Sequence, residues 1–125
     1  RVFVLTGDGE LDEGSNWEAF QAASRLKLDN LVCIVDHNNS SLSLPLEIPG
    51  DVQRVEMFGC FAEHVDGHNE YALRQVLNRQ ADRVMLVIAD TVKGKGCSAM
   101  ESNPALWHAK APNEQEYRSM LKEVR

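Results

Sequence analysis

Short apolar runs alternate along the chain with polar, glycine-marked turns and with segments whose apolar residues recur at helical spacing. Residues 2–5 (Val-Phe-Val-Leu) form a β-branched-rich run that stops abruptly in Thr6-Gly7-Asp8-Gly9-Glu10, as a buried strand does at a tight turn. Residues 31–35 repeat the pattern and end in Asp36-His37-Asn38-Asn39. Between them a helix is predicted over residues 16–26, with Ala19, Ala22, Ala23 and Leu26 on its inward face. Trp17 and Phe20 fall off that face, and read either as core packing against later loops or as cover for a missing segment or a partner.

The alternation continues. Residues 40–49 lack a helical period and read as a loop, while 50–58 read as a short helix stopped by Gly59. Residues 60–65 form a third strand ending in Asp66-Gly67-His68-Asn69, and a helix follows over 70–80. Residues 84–89 form a fourth strand, apolar throughout, as a parallel sheet covered on both faces requires. Then comes Thr91-Val92-Lys93-Gly94-Lys95-Gly96, a stretch to residue 110 with no regular pattern, and a final helix opened by an Asn113/Glu116 capping box. Strands alternating with helices predict an α/β fold, a doubly wound, mostly parallel sheet with helices on both faces. All four strands then point the same way, and their polar ends share one rim, the edge at which such sheets bind ligands.

Composition changes this picture little. The 125 residues make one domain's worth of chain, and a net charge of −6 without a basic stripe argues against nucleic acid. The longest apolar runs are strand-sized, which excludes a membrane-spanning helix in this sequence. Three widely spaced cysteines suit a reducing, cytoplasmic setting. The chain opens at Arg1-Val2-Phe3, already inside a strand and without a methionine. A piece of a longer protein, whose preceding segment would help cover the sheet, is expected.

Asp8 and Asn38 carry the candidate chemistry. They terminate two strands of one βαβ unit, so about thirty intervening residues should not keep them apart in space. A carboxylate and a carboxamide are hard oxygen donors suited to Mg²⁺ or Ca²⁺, and Mg²⁺ typically completes its shell with phosphates and water. Glycines beside Asp8 let the backbone approach a diphosphate. The plainer alternative is that each tripeptide is an ordinary turn. The same duality holds for His68 and for Lys93 and Lys95, which read either as rim ligands or as a turn and solvated charges. No nucleophile elbow, Walker A loop or Rossmann fingerprint is present.

Gly7-Asp8-Gly9-Glu10-Leu11-Asp12-Glu13-Gly14, Trp17-Glu18-Ala19, residues 26–31 and Asp36-His37-Asn38-Asn39 resemble the thiamine-diphosphate-binding segment of transketolase. Asp66-Gly67-His68, residues 91–96 and Trp107-His108-Ala109-Lys110-Ala111-Pro112 continue the likeness in order over nearly the whole chain. The resemblance implies that residues 1–125 are the diphosphate-binding module of a thiamine-diphosphate enzyme, N-terminally incomplete. It implies Mg²⁺ held by Asp8, the Asn38 side-chain oxygen and the backbone carbonyl of Ser40. Cofactor-binding residues would be Gly7, Asp8, Gly9, Glu10, Asn38 and His108, with His108 also catalytic, and Glu13 and Glu18 would lie where two subunits meet.

The implied reaction is transfer of a two-carbon ketol unit between sugar phosphates. Its implied partner is a pyrimidine-binding module or C-terminal subunit, in a homodimer or heterotetramer, without which the chain is expected to be inactive. Ala109 stands where the family usually has glycine. Deoxyxylulose-phosphate synthase, the 2-oxo-acid dehydrogenase E1 subunits, or a non-catalytic assembly module are the alternatives. The blocks around Trp17 and His108 favour transketolase.

Overall fold

The computed structural model describes residues 1–38 and 55–124. Four strands, β1 (Val2–Gly7), β2 (Leu31–His37), β3 (Phe61–Asp66) and β4 (Met85–Asp90), form one sheet in the order β1-β2-β4-β3. Every pairing is parallel. The helices are α1 (Gly14–Arg25), α2 (Glu70–Leu77), α3 (Ser98–Ser102) and α4 (Glu114–Glu123), with 3-10 turns at Asp8–Asp12 and Leu106–His108.

The connections explain the two-faced cover. The chain steps outward from β1 to β2 to β3, then returns to insert β4 between them. Parallel crossovers keep one hand, so a reversal of direction moves the crossing segment to the opposite face. Accordingly Phe20 and Ala23 of α1 pack with Cys33, Val35, Leu86 and Ile88, joined by Val55 and Cys60. Val76 of α2 packs on the other side with Val32, Met85 and Val87. Central β4 is therefore buried on both faces, and its first five residues are all inaccessible, as its unbroken apolar run predicts. The doubly wound α/β architecture is as expected from the sequence.

Two expectations need correction. The inward face of α1 is not Ala19, Ala22 and Leu26: the two alanines are exposed and Leu26 is 70% accessible. Phe20 and Ala23 are buried instead, and Trp17 packs against them. An alanine stripe fits a close approach to the sheet, but burying two aromatic rings removes more apolar surface from water and decides the rotation. Trp17 meets Phe20 edge-on at 6.1 Å and Phe58 at 6.3 Å. The stretch before α4 is also more regular than expected, with α3 and the turn at Leu106–His108. Both are too short to show a period, and the Asn103 side chain opens the second by accepting from the Leu106 N–H at 3.2 Å.

Other boundaries differ by one to three residues. Strands β1 and β2 run on through their polar ends, pairing Thr6 with Val35 and Gly7 with Asp36. A ladder needs only backbone groups, so polarity does not end it. The capping box forms as predicted, with Asn113 and Glu116 exchanging bonds of 2.9 Å. Gly59 has φ +82°, the left-handed stop expected after the helical residues 55–57. The predicted loop over 40–49, the first part of the helix over 50–58, Asn39 and Ser40 lie outside the described residues.

Candidate functional site

Parallel pairing carries the ends of β1 and β2 to one level, and the Asp8 carboxylate spans them. Its Oδ1 accepts from the Gly9 N–H at 2.8 Å and its Oδ2 from the Asn38 N–H at 3.1 Å. Asp8 is 6% accessible, the one charged residue among the buried ones described. It forms no ion pair among the described residues. A buried carboxylate without a countercharge is costly, because two N–H bonds replace only part of its hydration. The arrangement fits a bound cation.

Asn38 is oriented by its surroundings. Its amide nitrogen donates to Asp36 Oδ2 at 3.1 Å, and the Thr91 hydroxyl holds the other oxygen of Asp36. A carboxylate only accepts, so this bond fixes which end of the amide is nitrogen and turns Oδ1 away from Asp36. The side chains of Asp8 and Asn38 thus offer oxygen donors, the kind that Mg²⁺ takes.

The loop beyond β1 is braced from α1. The Gly7 N–H donates to Glu10 Oε2 at 2.7 Å, closing the turn. Asn16 Nδ2 and Trp17 Nε1 donate at 2.6 Å to the carbonyls of Glu10 and Leu11, and Leu11 is itself buried. The helix begins at Gly14, with Glu13 as N-cap but without a side-chain cap bond. Glu13 and Glu18 are both exposed. Gly7, Asp8, Gly9, Glu10 and Asn38 are therefore brought into one bonded group.

The other rim motifs are structural in part. His68 Nε2 accepts from the Val92 N–H at 2.8 Å, and the Gly67 N–H donates to the Asp90 carbonyl at 2.8 Å. Asp66-Gly67-His68 therefore latches the end of β3 to the strand end of β4. A Cβ at Gly67 would stand 2.5 Å from Thr91 Cγ2 and 3.1 Å from the Asp90 carbonyl oxygen. Gly67→Ala should cost about 1–3 kcal/mol in chemical denaturation, the usual range for overpacking. An unchanged midpoint would show that the latch yields without strain. Gly94, at φ +75°, is equally confined, since its Cβ would lie 2.3 Å from Met100 Cβ.

His108 sits in the turn Leu106–His108, half-buried, and its ring makes no hydrogen bond among the described residues. Its neighbourhood is fixed by Lys110, whose Nζ lies 4.4 Å from the Trp107 ring centroid and 2.5 Å from Glu116 Oε1. Ala109 adopts φ −125°, so a side chain there meets no left-handed strain.

Sequence reasoning quotes Asp36, His37 and Thr91 within motifs but gives them no role of their own, and it passes over His64 and Asp90. Residues 33, 35 and 37 alternate onto one face of the sheet, as do 62, 64 and 66 and 86, 88 and 90. That parity was readable, but the strand order that makes them neighbours was not. Asp90 Oδ1 lies 2.7 Å from His37 Nδ1, and its Oδ2 lies 3.0 Å from His64 Nδ1. Partial burial would raise the Asp90 carboxyl, yet the hydrogen bonds and charge of the two rings outweigh it and hold it below the usual carboxylate range. Burial pushes the Cys33 and Cys60 thiols up, which leaves them protonated and inert.

An open parallel α/β sheet whose first two strand ends share a buried carboxylate places the chain among the α/β modules built to bind ligands at one rim. The family model described as "Transketolase, thiamine diphosphate binding domain" matches residues 1–124, and the chain belongs to that family. It is 43% identical to the human transketolase over 114 residues, covering 88% of this chain and 18% of that protein. It is 37% identical over 132 residues to one subunit of the apulose-4-phosphate transketolase of Actinobacillus succinogenes, covering all of this chain and 47% of that relative. Among solved structures, transketolase from Campylobacter jejuni superposes with a TM-score of 0.76 at 31% identity, over 84% of this chain and 18% of that one. The chain thus spans less than half the length of these relatives.

Proposed function

We propose that this chain binds thiamine diphosphate through Mg²⁺ as part of a transketolase-type transferase. The buried, uncompensated Asp8 carboxylate carries the reading. Asp8 and the Asn38 side-chain oxygen supply two Mg²⁺ ligands, and the Ser40 carbonyl, outside the described residues, a third. Gly7 and Gly9 let the backbone come up to the diphosphate, Glu10 holds that loop closed, and His108 serves as the catalytic residue beside the cofactor. When bound, the cofactor supplies a carbanion and an electron sink for moving a two-carbon ketol unit between sugar phosphates.

The partner is a pyrimidine-binding module. The similar Actinobacillus protein is by name one subunit of its transketolase, which supports a second subunit here, in a homodimer or heterotetramer. The apolar side chains of β1 also support burial against further protein, since Val2, Phe3, Val4 and Leu5 are 42–71% accessible. Three free, buried cysteines suit a reducing cytoplasm, and no helix among the described residues is long and apolar enough to cross a membrane.

The purified chain should show no ketol transfer alone, and should gain it when a pyrimidine-module partner, thiamine diphosphate and Mg²⁺ are added together. Turnover by the chain alone would refute the half-site reading. Cofactor binding to the mixture without turnover would favour a non-catalytic assembly module.

A further inference from the structure

The rim carries a second constellation that the diphosphate site does not use. His37 ends β2, Asp90 ends β4 and His64 lies two residues before the end of β3. The strand order β2-β4-β3 puts Asp90 between the two imidazoles, in register with His37. All three side chains project from the face that α1 covers further down. One ligand atom from each lies within 4.8 Å of the others, and the rings stand edge-on with centroids 5.8 Å apart. The side chains of His37, His64 and Asp90 are 22%, 45% and 48% accessible, so an ion can reach them.

We propose that His37, His64 and Asp90 form a site for a borderline divalent cation of the Zn²⁺, Co²⁺ or Ni²⁺ type, separate from the oxygen-only site at Asp8. The chemistry separates the two ions. Imidazole nitrogen suits zinc and its neighbours in the first transition series, whereas Asp8 and Asn38 offer only hard oxygen. Two histidines and a carboxylate leave one position of a tetrahedron for water, the ligand number of open zinc sites.

The two nitrogen–oxygen distances need small adjustment only, and the two imidazole nitrogens, within 4.8 Å of each other, must close to the same spacing. Ligands about 2.0–2.1 Å from a tetrahedral ion stand roughly 3.3 Å apart. The nitrogen–oxygen separations are now 2.7 and 3.0 Å. Entry of the ion would widen each by a few tenths of an ångström, with each imidazole shifting its proton from Nδ1 to Nε2. The ion then replaces the hydrogen bonds between Asp90 and the two imidazoles by three coordinate bonds and ties the ends of β2, β4 and β3 together. His68 is not available for this set, because its Nε2 already accepts from Val92.

The test is equilibrium dialysis of the chain against micromolar Zn²⁺ in millimolar Mg²⁺, with metal content measured and circular dichroism confirming the fold of each variant. One Zn²⁺ per chain is expected. His64→Ala and Asp90→Asn should each weaken binding by more than about tenfold, since even outer-sphere losses reach that size at metal sites. His68→Ala and Asp8→Ala should leave zinc binding unchanged. With Co²⁺ the parent should show visible tetrahedral bands without the ultraviolet sulfur charge-transfer band of thiolate ligation. No stoichiometric zinc, equal binding by folded His64→Ala, or a thiolate signature would each overturn the proposal.

Discussion

Asp8→Ala is expected to abolish Mg²⁺-dependent binding of thiamine diphosphate, measured by calorimetry with a pyrimidine-module partner present. The carboxylate is buried, bridges the two strand ends and has no cationic neighbour among the described residues. Removing one partner of a buried charge pair costs about 2–5 kcal/mol, so affinity should fall on the order of 100-fold or more. Folding should suffer less. Alanine removes the carboxylate that accepts from the part-buried N–H groups of Gly9 and Asn38, at up to about 1–3 kcal/mol, but it also relieves the buried charge. Circular dichroism of the variant therefore separates lost binding from lost structure. Undiminished affinity in a folded Asp8→Ala chain would remove the metal anchor from the proposed function.

Ile88→Ala should produce the largest loss of stability. Ile88 is fully inaccessible on the central strand, in register with Val35 on one side and His64 on the other. Its removal opens a cavity between the sheet and α1 that the flanking strands cannot collapse to fill. Large-to-small changes of this kind cost about 2–5 kcal/mol. That is a large part of the roughly 5–15 kcal/mol that holds a domain folded. The companion change Leu26→Ala should stay within about 0.5 kcal/mol, because that leucine is 70% accessible. Equal shifts for the two in urea denaturation would contradict the packing described.

Much of the fold was legible in the chain because burial leaves a pattern. The unbroken apolar run of β4 announced a strand covered twice, and β4 is buried on both faces. The Asn113–Glu116 cap was legible too, since it depends on residues three apart. The rotation of α1 was not. Alanines and aromatics each offered a plausible stripe, and only the position of Phe58 and Cys60, brought in from far along the chain, chose Trp17 and Phe20. The bounds of β1 were short for a related reason: polar residues can pair in a ladder, and the apolar pattern does not mark its end.

The sequence by itself determined the α/β class, the parallel strands and the meeting of Asp8 with Asn38, because a βαβ unit of this length has few ways to close. Tertiary structure decided what depends on the order in which strands lie side by side. It set β4 between β2 and β3, so that His37, His64 and Asp90 meet, and it turned His68 from a candidate ligand into a latch on Val92. Side-chain parity is a local property fixed by the backbone's period of two. Adjacency is a global one, settled only when every strand competes for cover in the same core.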